Sequence, residues 1–206
     1  MVKDAYKLLM KFLSKGLVLS FGDYILSSGI KSPYYIDFSY LASRPDYLRE
    51  VIRLFESFIV NKGISRRVDV IAGISNKGIL FLPELSIRLG KPFIYIDKVS
   101  MEMVVGYLGT EERVLIIDDL INTGRTLTNV ISILRGRYNA KVEYVVVFLD
   151  REEGGARKIR DLGVKIYSLV KISKLAREMR KVGIITDEEY NIIIKRVKGG
   201  KLGSKY

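Results

Sequence analysis

The feature that most constrains the fold of this chain is a series of short apolar segments separated by helical patterns. The segments are VDVIAGI (68–74), KPFIYIDK (91–98), RVLIIDDL (113–120), VEYVVVFLD (142–150) and VKIYSLV (164–170). Strands that alternate with helices at this spacing join through right-handed crossovers into a mostly parallel sheet that is covered on both faces. The pattern therefore predicts an α/β fold.

Further segments place helices and a hairpin around this predicted sheet. The segment 21–45, rich in Tyr, Ser and Gly, predicts a strand pair or hairpin with an elaborated turn. The apolar spacing and the terminal residues predict helices over 4–15, over 46–62, after a turn within 75–90, and from about Arg125 to Arg137.

The C-terminal part of the sequence predicts a helix pair. Residues 174–197 show helical periodicity interrupted at Gly183, and Thr186 with Asp187 predicts the cap of the second helix. We expect the glycine-rich end, 198–206, to be frayed.

Two amino acids are missing from all 206 residues, namely histidine and cysteine. Without cysteine the chain has no disulfide framework and no thiolate metal site. Without histidine it lacks the most common general base and metal ligand, and every Ser-His triad is excluded. Any chemistry must therefore use carboxylates, Lys, Arg, Tyr, hydroxyls or backbone groups.

The chain is strongly basic, with a formal net charge of +12. Residues 171–206 carry ten Lys or Arg against four Asp or Glu. Such charge attracts phosphates on small molecules or nucleic acids, but for this tail we favour a solvated, lysine-rich helical surface. Abundant Lys, Arg and Ile with scarce Asn and Gln are typical of a thermophile.

No apolar run approaches the roughly 20 residues that a membrane helix needs. The N-terminal segment is charged throughout and has no signal-peptide core. We therefore expect a cytoplasmic protein without a membrane partner.

The stretch VLIIDDLINTGRTL (114–127) combines a buried strand with polar residues at its end. Ligands of parallel sheets bind beyond the carboxyl ends of the strands. There Asp118 and Asp119 can hold ribose hydroxyls or a Mg²⁺ bridged to a polyphosphate. The turn 122–126, with a glycine and hydroxyls at a helix start, forms an anion site for a phosphate. A helix cap and a simple turn explain each feature alone, but not their combination.

Three other predicted strands also end in polar segments. Ser75-Asn76-Lys77-Gly78 follows the first strand and offers a second anion site, Asp97-Lys98 follows the second, and 150–155 follows the fourth. If the sheet is parallel, all four segments meet at one edge.

These motifs resemble those of a known family. VLIIDDLINTGRTL resembles the phosphoribosyl-pyrophosphate (PRPP) signature of the type I phosphoribosyltransferases, in which two acidic residues and a Thr-Gly loop follow an aliphatic strand. FGDYILSSGIKSPYYID (21–37), VIAGISNKGI (70–79) and FLDREEGG (148–155) resemble segments of the orotate phosphoribosyltransferases. The resemblance runs from about residue 10 to 197, because the C-terminal helix pair resembles that of archaeal members.

The resemblance implies the type I phosphoribosyltransferase fold, a mostly parallel sheet flanked by helices. It implies a phosphoribosyltransferase domain over 1–170, with a small N-terminal hood over 1–45, and a C-terminal helical extension over 171–206. It also implies a homodimer in which the mobile loop of one subunit serves the site of its neighbour.

Roles in PRPP binding follow by position from the resemblance. Asp118 and Asp119 would contact the ribose hydroxyls and, through PRPP, a Mg²⁺ ion. Lys77 and Lys98 would face the pyrophosphate, and Lys98 with the two aspartates would be catalytic. The cradle of the 5-phosphate would comprise Asn122, Thr123, Gly124, Arg125 and Thr126.

Roles in binding the base follow in the same way. Arg151 would pair with the carboxylate of orotate, for which a planar bidentate fork is suited. Tyr34 and Tyr35 match aromatic positions that line the base site.

The sequence departs from the family pattern at Ser27, at the 5-phosphate turn and at the mobile loop. Ser27 stands where the family has a lysine, and Asn122 replaces a Thr or similar small residue. In the loop, Asp97, Met101 and Met103 replace an arginine, a lysine and a histidine, and a strand-like pattern resumes early. Since loop cations stabilise the departing pyrophosphate, these losses predict a slow enzyme or one whose charge comes from elsewhere.

Three functions stay open at this point. The first is an orotate phosphoribosyltransferase of pyrimidine biosynthesis, which converts PRPP and orotate to orotidine 5′-monophosphate and pyrophosphate with Mg²⁺. The second is an impaired homologue that binds PRPP or a nucleotide and regulates, for example through nucleic acid; the third is a transferase with another base. No helix-turn-helix pattern precedes the core, which argues against direct DNA readout. The number and order of the motifs favour the first function.

Overall fold

The computed structural model describes residues 2–13, 18–26, 29–75 and 77–202. The helices are α1 Val2–Leu13, α2 Pro45–Asn61, α3 Leu82–Leu89, α4 Arg125–Gly136, α5 Gly155–Asp161, α6 Ile172–Lys181 and α7 Asp187–Leu202. The strands are β1 Leu19–Ile25, β2 Lys31–Ile36, β3 Val70–Ile74, β4 Phe93–Ile96, β5 Met103–Val105, β6 Arg113–Ile121, β7 Lys141–Asp150 and β8 Lys165–Lys171. Within these ranges no helix combines the length and the apolar character needed to cross a membrane.

Six strands form the central sheet, in the order β5-β4-β3-β6-β7-β8. All neighbouring pairs are parallel except β5, which runs antiparallel to β4. This confirms the predicted α/β fold with a mostly parallel sheet. Because β3 has β4 on one side and β6 on the other, the strand order reverses between β3 and β6, and a crevice opens there beyond the carboxyl ends of the strands.

The sheet is buried on both faces, which explains why its strands are continuously apolar. Along β6, Leu115 and Ile117 belong to a core cluster that includes residues of α1, α2, α6 and α7. Val114 and Ile116 belong to a second cluster, which includes residues of α4. Successive side chains of a strand point to opposite faces, so one strand supplies both clusters.

The N-terminal region forms the predicted hairpin. β1 and β2 pair antiparallel as a separate two-stranded sheet with an irregularity between Phe21 and Tyr24. The predicted helices over 46–62 and within 75–90 are confirmed as α2 and α3, and α3 ends at Gly90 in the left-handed conformation, with φ of 60°. The end of the helix predicted over 4–15 lies partly outside the described residues.

The predicted cap of the last helix is confirmed. The Thr186 hydroxyl accepts a hydrogen bond from the backbone N–H of Glu189, and the Glu189 carboxylate accepts one from the backbone N–H of Thr186. This reciprocal pair is a capping box, which satisfies two N–H groups at the start of a helix.

The prediction that 198–206 is frayed is wrong for its first five residues, because α7 continues to Leu202. The reason is a close backbone contact: a Cβ atom at Gly200 would lie 2.4 Å from Glu153 Cα. The glycine lets α7 pack directly on the loop after β7, and this tertiary contact outweighs the low helix propensity of glycine. Residues 203–206 lie outside the described residues.

Mutation of the aromatic core tests the packing of α2 on the sheet. The Phe55 side chain is fully buried, and its ring lies 5.2 Å from Phe81 and 5.8 Å from Phe148, between centroids. We expect Phe55→Ala to lower the free energy of unfolding by about 3–5 kcal/mol, because it leaves a cavity that collapses only partly.

The matched control is Val60→Ala in the same helix, since Val60 is 52% exposed. Denaturant unfolding should place this variant within about 0.5 kcal/mol of the parent. Equal losses in the two variants would contradict the assignment of Phe55 to the core.

Candidate active site

A cavity of about 210 Å³ lies at the carboxyl ends of β3, β4, β6 and β7, at the reversal in strand order. All but one of the predicted site residues line it: Tyr35, Lys77, Lys98, Asp118, Asp119, Asn122, Thr123, Gly124, Arg125, Thr126 and Arg151. Tyr34 is the exception. The four polar segments predicted to meet at one edge of the sheet therefore do meet there.

Asp118 and Asp119 lie within the last four residues of β6, with Asp118 half-buried and Asp119 only 7% exposed. The backbone N–H of Asp119 donates to Asp118 Oδ1 at 2.9 Å. Burial, followed by the charge of Asp119, raises the pKa of Asp118 well above its usual value. Burial also raises the pKa of Asp119. Two buried carboxylates in sequence repel each other, so this site favours partners that donate hydrogen bonds or carry positive charge.

Two lysines oppose this accumulation of negative charge. Burial raises the pKa of each aspartate, but the ammonium group of Lys77 opposes this rise for Asp119 and that of Lys98 opposes it for Asp118. Lys77 follows β3 and Lys98 follows β4, so each cation comes from a neighbouring loop of the same sheet edge. The cavity thus carries acidic and basic groups side by side, as a ligand with both hydroxyls and phosphates requires.

The side chain of Lys77 is held in place by the hairpin. Its Nζ lies 2.7 Å from Asp37 Oδ1 and donates to the Tyr35 hydroxyl at 3.3 Å. Burial alone would lower the pKa of Lys77, but Asp37, Asp119 and Tyr35 together raise it. Lys77 therefore enters the cavity as a cation whose position is set before any ligand binds. Asn76, its predicted neighbour in this anion site, lies outside the described residues.

The turn 122–126 joins β6 to α4 and is shaped by two glycines. Gly124 takes a left-handed conformation, with φ of 77°, directly before the first helical residue. The backbone N–H of Gly155 donates to the carbonyl of Asn122 at 3.0 Å. The turn therefore presents the start of α4 to the cavity, where free N–H groups and the helix dipole favour an anion.

Arg151 is 2% exposed and held from two sides. Its Nε and Nη2 contact Glu153 Oε1 at 3.0 and 2.8 Å, and Nη2 also donates to Ser32 Oγ at 3.0 Å. Glu153 therefore takes the Nε–Nη2 edge of the guanidinium, which is one of its two edges that can form a bidentate fork. The contacts with Glu153 and Ser32 use Nε and Nη2, so Nη1 is the nitrogen through which this group can donate to a ligand.

The two predicted tyrosines differ in position. Tyr35 lines the cavity, whereas Tyr34 is fully buried with its ring 4.2 Å from the Arg151 guanidinium. The Tyr34 hydroxyl donates to Glu153 at 3.1 Å, and burial raises the pKa of Tyr34 above its usual value. Tyr34 thus supports Arg151 from behind. Ser27, where the family has a lysine, lies outside the described residues.

The segment after β4 is a tight turn, as predicted for the shortened loop. Asp97 Oδ1 accepts hydrogen bonds from the backbone N–H groups of Val99 and Ser100 at 2.9 and 2.8 Å. The chain then returns along β4 as β5. Met101 and Met103 pack against the second core cluster. Asp97 therefore stabilises the turn that stands where the family has its cationic loop.

The metal implied by the resemblance can be tested against the donor set. Among the described residues no group of three or more acidic side chains could hold a metal ion by itself. Asp118 and Asp119 offer two carboxylates, and Mg²⁺ is commonly bound by one or two carboxylates together with substrate phosphates and water. The site therefore fits a Mg²⁺ that arrives with a polyphosphate ligand and not one held by protein alone.

Three polar residues of this region were missed in the sequence. Asp37 and Glu153 gave no local sign of their partners, which lie elsewhere in the chain. Arg196, whose Nη2 lies 2.8 Å from Glu153 Oε2, did give one. It follows Ile193 at helical spacing on the buried face of α7, and a charged residue on an apolar stripe needs a buried partner.

Comparisons with known proteins agree with this geometry. Residues 39–176 match the phosphoribosyl transferase domain family. The orotate phosphoribosyltransferase of Pyrobaculum islandicum is 35% identical over 89% of this chain and 94% of its own length. The solved orotate phosphoribosyltransferase of Aeropyrum pernix superposes with a TM-score of 0.70 at 27% identity, over 85% of this chain and 99% of that one.

The solved UMP synthase of Leishmania donovani gives a TM-score of 0.79 at 29% identity. The match covers 94% of this chain but 42% of that protein, so this chain corresponds to less than half of the longer one. The chain belongs to the phosphoribosyltransferase family and, within it, resembles the orotate phosphoribosyltransferases most consistently.

The raised pKa values of the aspartate pair predict a pH-dependent gain in stability on neutralisation. An acid whose pKa is raised by folding destabilises the fold at pH values above its ordinary 3.8, and the penalty disappears as pH falls through the folded pKa towards that value. We expect Asp118→Asn to raise the free energy of unfolding at pH 7 by about 0.5–2 kcal/mol. The gain should shrink as the pH is lowered towards about 4.

The control is Asp23→Asn, because Asp23 is exposed and far along the chain from the pair. Chemical denaturation at pH 7, 5.5 and 4 measures all three proteins. An Asp118→Asn protein less stable than the parent at pH 7, or a gain independent of pH, would contradict the electrostatic description.

Proposed function

We propose that this protein is an orotate phosphoribosyltransferase of pyrimidine biosynthesis. It transfers the 5-phosphoribosyl group of PRPP to orotate and yields orotidine 5′-monophosphate and pyrophosphate. The observation that carries the proposal is one cavity at the reversal in strand order, which is lined by the turn 122–126, an aspartate pair, two lysines and a buried arginine. In the reaction, the bond from ribose C1′ to pyrophosphate breaks as the bond to orotate N1 forms, and the proton of N1 is released.

PRPP binding is assigned to the loop after β6. The 5-phosphate lies against the turn 122–126, where the N–H groups at the start of α4 donate to it. Asp118 and Asp119 accept hydrogen bonds from the ribose hydroxyls, which relieves the repulsion between the two carboxylates. The sugar is thereby fixed with C1′ facing the base site.

Departure of pyrophosphate requires positive charge on its side of the cavity. Lys77 and Lys98 both line the cavity and carry that charge. Mg²⁺ bound with PRPP would neutralise part of the charge on the leaving group. A tight turn around Asp97 stands in place of the cationic loop, so Lys77 and Lys98 are the cations that the described residues supply after β3 and β4. We therefore expect turnover to be slow.

Orotate binding is assigned to Arg151 and Tyr35. The carboxylate of orotate accepts from Arg151 Nη1, and the charge assists this hydrogen bond because the guanidinium is buried. Tyr35 lines the same cavity, with its ring stacked on Tyr24 at 5.5 Å between centroids, and so bounds the space for the base. A base without a carboxylate would leave the buried donor unpaired, which favours orotate over other acceptors.

The homodimer and the cytoplasmic location implied earlier stay predictions. Light scattering coupled to size exclusion tests the first, since a dimer has twice the mass of the 23.5 kDa chain. Localisation of a tagged protein in cells tests the second.

The proposal is tested by mixing the protein with PRPP, Mg²⁺ and orotate at elevated temperature and following the loss of orotate absorbance. We expect turnover in the parent and its loss in Lys77→Ala and Asp119→Asn, with folding verified by circular dichroism. Binding of PRPP without turnover of orotate would instead identify a PRPP-binding homologue. Turnover with another base but not with orotate would identify a different transferase.

The role of Lys98 predicts a specific kinetic defect. Lys98→Ala should lower kcat/KM by about 10²–10³, because it removes one of the cations that stabilise the departing pyrophosphate. The control is Lys91→Ala, at the opposite end of β4, which should leave kcat/KM unchanged. Similar kcat/KM values for Lys98→Ala and Lys91→Ala would show that Lys98 is not a catalytic residue.

The packing of Gly155 against the turn 122–126 predicts that a substitution at Gly155 weakens PRPP binding. A Cβ atom at Gly155 would lie 2.3 Å from the Asn122 carbonyl oxygen and 2.7 Å from Gly124 N, so the turn must move. We expect Gly155→Ala to raise the dissociation constant of PRPP at least about tenfold, or about 1.4 kcal/mol, in calorimetry.

Gly136→Ala is the matched control, because a Cβ atom at the end of α4 meets nothing within 4 Å. It should leave PRPP binding as in the parent. If Gly155→Ala bound PRPP with parental affinity, the turn 122–126 would not be the phosphate site.

A further inference from the structure

A buried cluster of three charged side chains lies behind the base site. It joins Arg151 and Glu153, from the loop after β7, to Arg196 of α7, and their exposures are 2%, 8% and 7%. Glu153 Oε1 contacts Arg151 Nη2 at 2.8 Å, and its Oε2 contacts Arg196 Nη2 at 2.8 Å. One carboxylate thus serves two guanidinium groups.

The second arginine changes the charge available to a ligand. A buried Glu153 paired with Arg151 alone would neutralise it and compete with the carboxylate of a substrate. With Arg196 on its other oxygen, Glu153 is shared, and the cluster keeps a net positive charge at the cavity. In a low-dielectric interior this charge is weakly screened, so its effect on a bound carboxylate is strong.

Arg196 also reaches the other group that holds Arg151. Its Nη1 donates to the backbone carbonyl of Lys31 at 3.1 Å, in β2. The next residue, Ser32, accepts a hydrogen bond from Arg151 Nη2 at 3.0 Å. A single side chain from the C-terminal helix therefore contacts both the carboxylate and the strand that orient Arg151.

The helix that carries Arg196 is seated on the same loop. A Cβ atom at Gly200 would lie 2.4 Å from Glu153 Cα and 2.7 Å from the Glu152 carbonyl oxygen. Gly200 is one helical turn beyond Arg196, so the close backbone approach and the ion pair lie on one face of α7. The position of Arg196 is thus set by backbone packing and not by the ion pair alone.

We infer that Arg196 is a positioning residue for the base site, through which α7 fixes the orientation and the charge of Arg151 towards the carboxylate of the acceptor. The inference rests on the proposed function, because Arg151 is assigned to orotate there. It gives the C-terminal helix a part in substrate specificity.

The test compares Arg196→Gln and Arg196→Lys with the control Lys198→Gln, an exposed position of the same helix. Initial rates are measured over a matrix of orotate and PRPP concentrations, with PRPP binding measured by calorimetry. Arg196→Gln should raise KM for orotate about tenfold or more and leave the dissociation constant of PRPP within twofold. Arg196→Lys keeps the charge but not the planar guanidinium, and its KM for orotate should lie between those of the parent and Arg196→Gln.

The outcomes separate this inference from the proposed function. An active parent whose Arg196 variants keep the parental KM for orotate, or lose orotate and PRPP affinity equally, would overturn the positioning role. If Arg196→Gln does not fold, Arg196→Lys decides, because a severalfold rise in KM for orotate alone is still expected. A parent without orotate turnover would overturn the proposed function, and the inference with it, before any variant is compared.

Discussion

The site depends on one constraint, namely two adjacent carboxylates at the end of a buried parallel strand where the strand order reverses. Asp118 and Asp119 cannot both be solvated there, and burial raises the pKa of each. Lys77 and Lys98 supply positive charge from neighbouring loops and so reduce the repulsion between the two carboxylates. The ribose hydroxyls of the proposed ligand would donate hydrogen bonds to them. In the proposed function, a ligand that carries hydroxyls beside phosphates meets both the carboxylates and the lysines.

Two cations of the site are held by ion pairs with carboxylates of the protein. Lys77 is held by Asp37, and Arg151 by Glu153, at 2.7 and 2.8 Å. Such pairs fix the orientation of a cation before the substrate binds, so less ordering is needed on binding. They also compete with the substrate for the cation. On the side of the base, sharing Glu153 with Arg196 reduces that competition, which is why the C-terminal helix matters to a site it does not line.

Much of the fold and of the candidate site could be predicted from the sequence, because both depend on local patterns. Continuous apolar runs predicted the parallel strands, and the polar residues after each run predicted which side chains meet at the sheet edge. The short helix α5 was not predicted, since its seven residues begin at the second of two glycines and are too few for a clear period. The contact of Glu153 with the Nε–Nη2 edge of Arg151 was also not predicted.

Contacts between distant segments could not be predicted in this way. The pairing of Lys77 with Asp37 joins residues 40 positions apart, and no local pattern records it. The sequence around Gly200 is typical of a frayed end, because glycine has a low helix propensity. The contact of Gly200 with Glu153, which explains a glycine inside a helix, cannot be read from the sequence. The buried Arg196 did leave a sign in the sequence, namely a charged residue on an apolar helical face.

The central claim is that one cavity holds both the phosphoribosyl group and the orotate carboxylate. A crystal structure of the protein with orotidine 5′-monophosphate tests it most directly. We predict the 5-phosphate against the turn 122–126, the ribose hydroxyls on Asp118 and Asp119, and the carboxylate on Nη1 of Arg151. A nucleotide bound elsewhere, or bound here with its carboxylate directed away from Arg151, would contradict the account.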